Sequence, residues 1–177
     1  MAVIKNIWCM NLRDNRAEDS RNKDKGLKFR LCREKDILAV GWSVPEPVHT
    51  LSEYREIADK RYNTPAYRKA MKALQDMQKG DLVWVRDPEN GSYYLAEIKD
   101  EEIGIYDGIK EFDSCAYRHA TYYAVSDTER EKFEALTPKK LSARHTIERM
   151  HEEKRGATIR DTKRLFCDIE KRKEKEK

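Results

Sequence analysis

The strongest constraint on the fold is a β-hairpin sequence in the middle of the chain. Residues 81–100 read DLVWVRDPENGSYYLAEIKD, in which two runs rich in β-branched and aromatic residues flank DPENG. Pro, Asp, Asn and Gly favour tight turns, each for a backbone reason. The pattern therefore predicts two antiparallel strands, with Trp84 on one and Tyr93 and Tyr94 on the other. We expect these three side chains to pack across the strands.

Helix-start signals predict the helices around this hairpin. In a capping box, a hydroxyl side chain and a carboxylate three residues later each bond the other's backbone N–H. The candidate boxes are Thr50 with Glu53, Ser126 with Glu129, and Thr158 with Asp161. Thr64 followed by Pro65 predicts a further helix that ends before Gly80. Residues 138–153, PKKLSARHTIERMHEE, are also expected to be helical, with Gly156 ending that helix.

Short β-rich runs complete the prediction of fold class. They are VIKNIWCM, ILAV, IGIY and HATYYAV, at residues 3–10, 37–40, 103–106 and 119–125. This order of elements predicts an α+β fold, a small mixed β-barrel with packed helices and an extra C-terminal helix that caps the barrel or projects as an arm. We divide the 177 residues into a domain over residues 1–155 and a C-terminal helix with a charged tail over residues 156–177.

Charge is plentiful and unevenly distributed. Charged residues make up 40% of the chain, and 37 basic against 33 acidic residues give a net charge of +4, which permits a nucleic-acid partner without requiring one. Residues 13–35 carry nine basic side chains against five acidic ones. We expect this basic segment to contact nucleic-acid phosphates, and the alternative is a solvated loop. The candidate contacts are Arg13, Arg21, Lys23, Lys25 and Lys28.

Cysteine spacing and hydropathy bear on the compartment. The four cysteines are far apart and no pair has the spacing of zinc ligands: Cys9, Cys32, Cys115 and Cys167. We find no secretory signal pattern and no apolar run long enough to span a bilayer. The sequence therefore predicts free thiols, a cytoplasmic protein and no membrane partner.

Catalytic patterns are weak. The histidines are dispersed, and the chain has neither a nucleophile-elbow motif nor a glycine-rich phosphate loop. We therefore expect no catalytic residue, no metal and no cofactor. One motif weighs against this, since Glu97 and Lys99 share one face of a strand in a Glu-x-Lys pattern that metal-dependent nucleases use. A cross-strand ion pair is the preferred alternative for these two residues.

Two tryptophans lie where strands are predicted to end. In DILAVGWSVPEP, residues 36–47, a short apolar run stops at Gly41 and Trp42 follows just before a loop. A core tryptophan normally lies within a strand, so one at the exit is expected to face a pocket. Trp8 lies late in the first predicted strand. Two indoles at neighbouring strand ends can enclose a flat group, and stacking a nucleobase on an aromatic ring contributes about 1–3 kcal/mol.

Several of these stretches together resemble a known family. They are IWCMN, ILAVGWS, MQKGDLVWVRDPENGSYYLAEI and LSARHTIERM, at residues 7–11, 37–43, 77–98 and 141–150. In this order they look like the PUA-like superfamily, specifically its EVE and YTH branch, and they are similar to EVE-like reader modules of modification-dependent restriction systems. The resemblance covers most of residues 1–150, while the basic segment and the last helix depart from the compact form.

The resemblance implies a function and a set of site residues. Such a module binds a single, often modified, flipped-out nucleobase in an aromatic pocket. By this resemblance Trp8 and Trp42 would be the pocket walls, and Asn11 and Ser43 would bond the base edge. Gly41 would let the backbone approach the ligand.

The expected function is thus non-enzymatic nucleic-acid binding linked to restriction or phage defence. DNA is favoured over RNA, because the resemblance is to restriction-linked modules. A nuclease or an ATPase of a defence system is an expected partner. The alternatives are a protein-interaction or regulatory module of a defence or toxin system, an RNA reader, and a nuclease built on Glu97 and Lys99.

Overall fold

The computed structural model describes residues 4–12, 26–105, 115–143 and 146–176. These residues form seven strands and six helices. The strands are β1 (Ile7–Met10), β2 (Ile37–Ala39), β3 (Leu82–Arg86), β4 (Tyr93–Ile98), β5 (Gly104–Ile105), β6 (Ala116–Val125) and β7 (Ile147–Arg149). The helices are α1 (Leu27–Glu34), α2 (Leu51–Arg61), α3 (Pro65–Asp76), α4 (Asp127–Glu131), α5 (Pro138–Leu141) and α6 (Glu152–Lys175).

The strands form one mixed, curled sheet. Its order is β2-β6-β4-β3-β1-β7, with β5 paired to β6. β1 runs parallel to β3, and the other pairs are antiparallel. The sheet closes about half of a barrel and carries several helices, which confirms the α+β prediction.

The central hairpin is confirmed. β3 and β4 pair with Trp84 opposite Leu95, and the Gly91 N–H donates to the Asp87 carbonyl oxygen over 2.9 Å to close the turn. The Trp84 and Tyr93 rings meet edge to face with centroids 6.3 Å apart, as expected. Tyr94 instead packs on Phe29 of α1, with ring centroids 5.0 Å apart, because successive strand residues face opposite sides of the sheet.

The predicted helix starts at Thr50, Thr64 and Ser126 are confirmed, whereas α1 was not predicted. Thr50 and Ser126 each form a complete capping box with the glutamate three residues later. The Thr64 hydroxyl caps α3, and Pro65 is the first residue of that helix. These signals succeed because each depends only on contacts within four residues of the chain.

The predictions for residues 138–161 are wrong in two places. The expected helix over residues 138–153 is replaced by the short helix α5 and by strand β7, which pairs with the edge of β1. The third capping box is absent, because α6 begins at Glu152 and Thr158 lies inside it. The Thr158 hydroxyl donates to the Ala135 carbonyl oxygen over 3.2 Å instead.

The sheet separates two apolar layers. Trp8 and Met10 face the layer that contains Phe29 of α1, whereas Ile7 and Cys9 face the opposite layer. Helix α6 packs on that second layer through buried apolar side chains, which are Ile159, Leu165, Phe166 and Ile169. Of the two expectations for the last helix, packing on the sheet is the one observed. The division of the chain after residue 155 stays a prediction.

Candidate functional site

The backbone at Trp42 is strained. Its φ of +70° lies in the left-handed region, which a bulky aromatic residue rarely adopts. Such a conformation costs on the order of 1–3 kcal/mol and persists only where the surrounding structure enforces it. The chain turns here directly after β2, because the Val40 N–H still donates to the Ala116 carbonyl oxygen over 2.9 Å and the ladder then ends.

Two tyrosines of the following helix hold this turn. The Tyr54 phenol donates to the Trp42 carbonyl oxygen over 3.0 Å, and the Tyr62 phenol donates to the Ser43 carbonyl oxygen over 2.5 Å. Tyr54 is a buried residue of α2, and Tyr62 is the C-cap of the same helix. Consecutive carbonyl groups are thus fixed by one helix, which provides the support that the strained conformation requires.

The indole belongs to an aromatic cluster. Trp42 meets Tyr67 of α3 edge to face, with centroids 5.7 Å apart, and Tyr62 lies 6.1 Å from Tyr67. The Tyr67 phenol donates to the Asp59 carboxylate over 2.7 Å, and burial together with that carboxylate raises the pKa of Tyr67. We call Trp42, Tyr54, Tyr62 and Tyr67 the Trp42 cluster. Trp42 stays partly exposed, so the cluster presents an indole of fixed orientation.

Trp8 does not join this cluster through neighbouring strands. Strands β6, β4 and β3 lie between β2 and β1 in the sheet, so the expectation of adjacent strand ends is wrong. Trp8 is only 3% exposed, and its indole N–H donates to the Asp81 carboxylate over 2.9 Å. Its role as a pocket wall stays a prediction, and that role requires movement that uncovers the ring.

The buried Asp81 carboxylate links β1 to β3, a role that the sequence analysis did not predict. Its carboxylate accepts hydrogen bonds from the Asn6 backbone and side chain, from Trp8 and from the Gln78 N–H, at 2.9–3.1 Å. The preceding Gly80 has a φ of +84°, which suits a residue without Cβ. The Gly-Asp pair before β3 therefore links β1 to β3. This dipeptide is the sequence feature from which the link could have been predicted.

The two predicted edge-binding residues lie in different places. Ser43 follows Trp42 directly and is partly exposed. Asn11 is exposed after β1, where its N–H donates to the Thr146 carbonyl oxygen over 2.8 Å. Asn11 lines a polar cleft beside the β3–β4 turn, and the residues that line this cleft do not include Trp42 or Ser43.

The basic segment is described only in part. Arg13, Arg21, Lys23 and Lys25 lie outside the described residues. Lys28 lies in α1, a helix that we did not predict, and at 4% exposure it offers little surface to a phosphate. Burial raises the pKa of the neighbouring Cys32 thiol to about 11, an effect that the Lys28 charge partly offsets.

Glu97 and Lys99 form a salt bridge. The Lys99 ammonium lies 2.5 Å from the Glu97 carboxylate, and the Tyr123 phenol donates to the same carboxylate oxygen over 2.9 Å. The two residues therefore form an ion pair, but they form it within one segment of chain and not across strands as predicted. Among residues 4–12, 26–105, 115–143 and 146–176, no group of three His, Cys, Asp or Glu side chains is placed to hold a metal.

Arg118 positions the helix that carries Tyr67. This fully buried side chain of β6 donates to the carbonyl oxygens of Leu74 and Met77 at the end of α3, over 3.0 and 2.6 Å. It also pairs with Asp100 at 2.9 Å. The sequence carried no signal for this role, because an arginine in a strand ordinarily faces solvent.

The sequence matches no protein-family model and no curated protein at a significant level. None of the helices in the described parts of the chain is long and apolar enough to cross a membrane.

Proposed function

We propose that this protein is a PUA/EVE-like module that binds DNA by stacking a single flipped-out, modified base on Trp42. The observation that carries the proposal is the left-handed backbone of a partly exposed tryptophan, fixed by hydrogen bonds from Tyr54 and Tyr62. Local strain of this kind concentrates at ligand-binding sites, where it holds a side chain in its working orientation.

The energetics of base binding fit a preorganised indole. Flipping a base out of a duplex costs a few kcal/mol. Stacking on an aromatic ring returns about 1–3 kcal/mol, and hydrogen bonds to the base edge from Ser43 supply the difference. A methyl group on the base adds apolar contact with the ring face. Because the turn is fixed before binding, ordering it costs little when the base arrives.

Binding a nucleic-acid strand also requires contacts to its phosphates. They hold the strand in register without distinguishing bases. We assign them to the basic segment, residues 13–35, whose nine basic side chains outnumber its five acidic ones. We further propose a cytoplasmic protein of restriction or phage defence that acts with a nuclease or an ATPase. These assignments rest on the sequence resemblance.

A binding screen tests the proposal. Short oligonucleotides of one sequence, with a single position carrying unmodified, methylated or hydroxymethylated bases, are titrated with the protein as single-stranded DNA, duplex DNA and RNA. We expect one modified DNA to bind at least tenfold more tightly than its unmodified counterpart. A preference for modified RNA would move the function to RNA reading. Equal affinity for every oligonucleotide would overturn base reading altogether.

A further inference from the structure

A second site lies away from the Trp42 cluster. A cleft of about 380 Å³ opens between the end of β1, the β3–β4 turn and the chain after α5. Its volume lies within the range of small-ligand pockets, about 300–1,000 Å³. Polar side chains dominate its lining, among them Asn11, Arg86, Asp87, Glu89, Asn90 and Ser142.

The carboxylates of this cleft already have partners. Glu89 forms an ion pair with Arg30 of α1 at 2.7 Å. Asp87 accepts a hydrogen bond from the Glu89 N–H over 2.9 Å, in a turn that the chain itself closes. Arg86, in contrast, has no carboxylate within ion-pair distance among the residues that the structure describes. Its positive charge is therefore left for a ligand.

Neighbouring groups fix the position of the Arg86 guanidinium without neutralising its charge. Its Nε donates to the Gly91 carbonyl oxygen over 3.2 Å, and its central carbon lies 5.7 Å from the centre of the Tyr93 ring. Gly91 permits this placement, because a Cβ there would come within 2.9 Å of Nη2. A guanidinium fixed through Nε presents its two terminal nitrogens as a fork, the geometry that phosphate oxygens match.

We propose that this cleft binds a phosphate group through the Arg86 fork. The Asn90 side chain assists, because its oxygen accepts the Ser92 N–H over 2.8 Å and its NH₂ group can donate to a phosphate oxygen. The phosphate can belong to a nucleic-acid strand or to a free nucleotide. The strand source rests on the proposed function, because the cleft would then hold the backbone that flanks the flipped base.

The test compares wild-type protein with three variants. Arg86→Ala removes the fork, and Arg86→Lys keeps the charge but not the fork. The matched control is Arg160→Gln, which removes one charge from an exposed side chain of α6. Thermal melting first verifies that each variant is folded. Inorganic phosphate, a nucleoside 5′-monophosphate and an unmodified single-stranded oligonucleotide are then titrated at several salt concentrations.

Arg86→Ala is expected to lower affinity for a phosphate-bearing probe about tenfold, with Arg86→Lys in between and Arg160→Gln unchanged. Loss confined to the oligonucleotide, with a salt slope reduced by about 0.7, identifies a strand phosphate. Loss also seen with the monophosphate identifies a nucleotide. An Arg86→Ala effect no larger than that of Arg160→Gln, or no binding of any probe, overturns the proposal. Arg86-dependent binding with no preference for a modified base would leave this site standing and refute base reading.

Discussion

The phenol of Tyr54 donates a hydrogen bond of 3.0 Å to the carbonyl oxygen of Trp42. The donor is fully buried in α2, whereas the acceptor belongs to a residue with a left-handed backbone at the end of the sheet. The bond therefore couples the backbone at Trp42 to the position of α2.

Tyr54→Phe should loosen the turn at Trp42. We expect a loss of about 1 kcal/mol in the free energy of unfolding, because the partly buried hydrogen bond to the Trp42 carbonyl oxygen disappears. Affinity for the preferred modified oligonucleotide should fall severalfold, since the indole is no longer fixed. Tyr122→Phe is the matched control, because it removes a phenol that donates to the Ile37 carbonyl oxygen over 2.7 Å, outside the Trp42 cluster. Equal loss of affinity in both variants would contradict the positioning role of Tyr54.

Trp84→Ala should damage stability far more than Trp42→Ala. Trp84 is fully buried, and its indole N–H donates to the Thr162 hydroxyl over 3.0 Å, which joins β3 to α6. Truncating a buried tryptophan costs about 3–5 kcal/mol. Urea unfolding of the two variants measures the difference. An equal free energy of unfolding for Trp84→Ala and wild type would contradict this prediction.

Arg118→Met should destabilise the fold, because each buried carbonyl oxygen that loses its donor costs about 1–3 kcal/mol. The substitution leaves Asp100 without its cation and two carbonyl oxygens of α3 without their donor. Because α3 carries Tyr67, oligonucleotide affinity should also fall at temperatures where the variant is folded. Arg160→Gln is the control. If Arg118→Met unfolded at the same urea midpoint as wild type, the structural role of Arg118 would be refuted.

Glu129 should make stability depend on pH. Burial disfavours its ionised form, but hydrogen bonds from Ser126 and the neighbouring Arg172 outweigh burial and hold its pKa below the usual value for glutamate. A lowered folded-state pKa stabilises the fold above the unfolded-state pKa, and this contribution is lost as the pH falls through the folded value. Wild type should therefore exceed Glu129→Gln in stability at pH 7, and the gap should close in acid. A constant gap between pH 7 and pH 3 would refute this linkage.

The features that the sequence predicted correctly are those that depend on interactions between residues close together in the chain. The DPENG turn and the capping boxes at Thr50 and Ser126 follow from residues within a few positions of one another. β7 could not be predicted this way, because its three residues are extended only through pairing with β1. The apolar and helical pattern around residues 147–153 favoured a helix, and tertiary pairing overrode it.

The candidate site was predictable only in part. Trp42 stands out in the sequence because it follows a glycine at the end of an apolar run. Its left-handed φ and its phenolic donors depend on α2 packing beside it, which no local pattern encodes. The opposite error occurred for Trp8, whose late position in a strand resembles that of Trp42. The Asp81 carboxylate accepts a hydrogen bond from the Trp8 indole in the core, and the two residues lie 73 positions apart in the sequence.

The most direct test of base stacking on Trp42 is the ratio of affinities for modified and unmodified DNA, measured for wild type, Trp42→Phe and Trp42→Ala under one buffer condition. The account predicts a high ratio for wild type, a reduced ratio for Trp42→Phe and a ratio near one for Trp42→Ala, with all three proteins folded. The general affinity for unmodified DNA should change little, because the proposed phosphate contacts lie outside the Trp42 cluster. An unchanged ratio in folded Trp42→Ala would contradict the account.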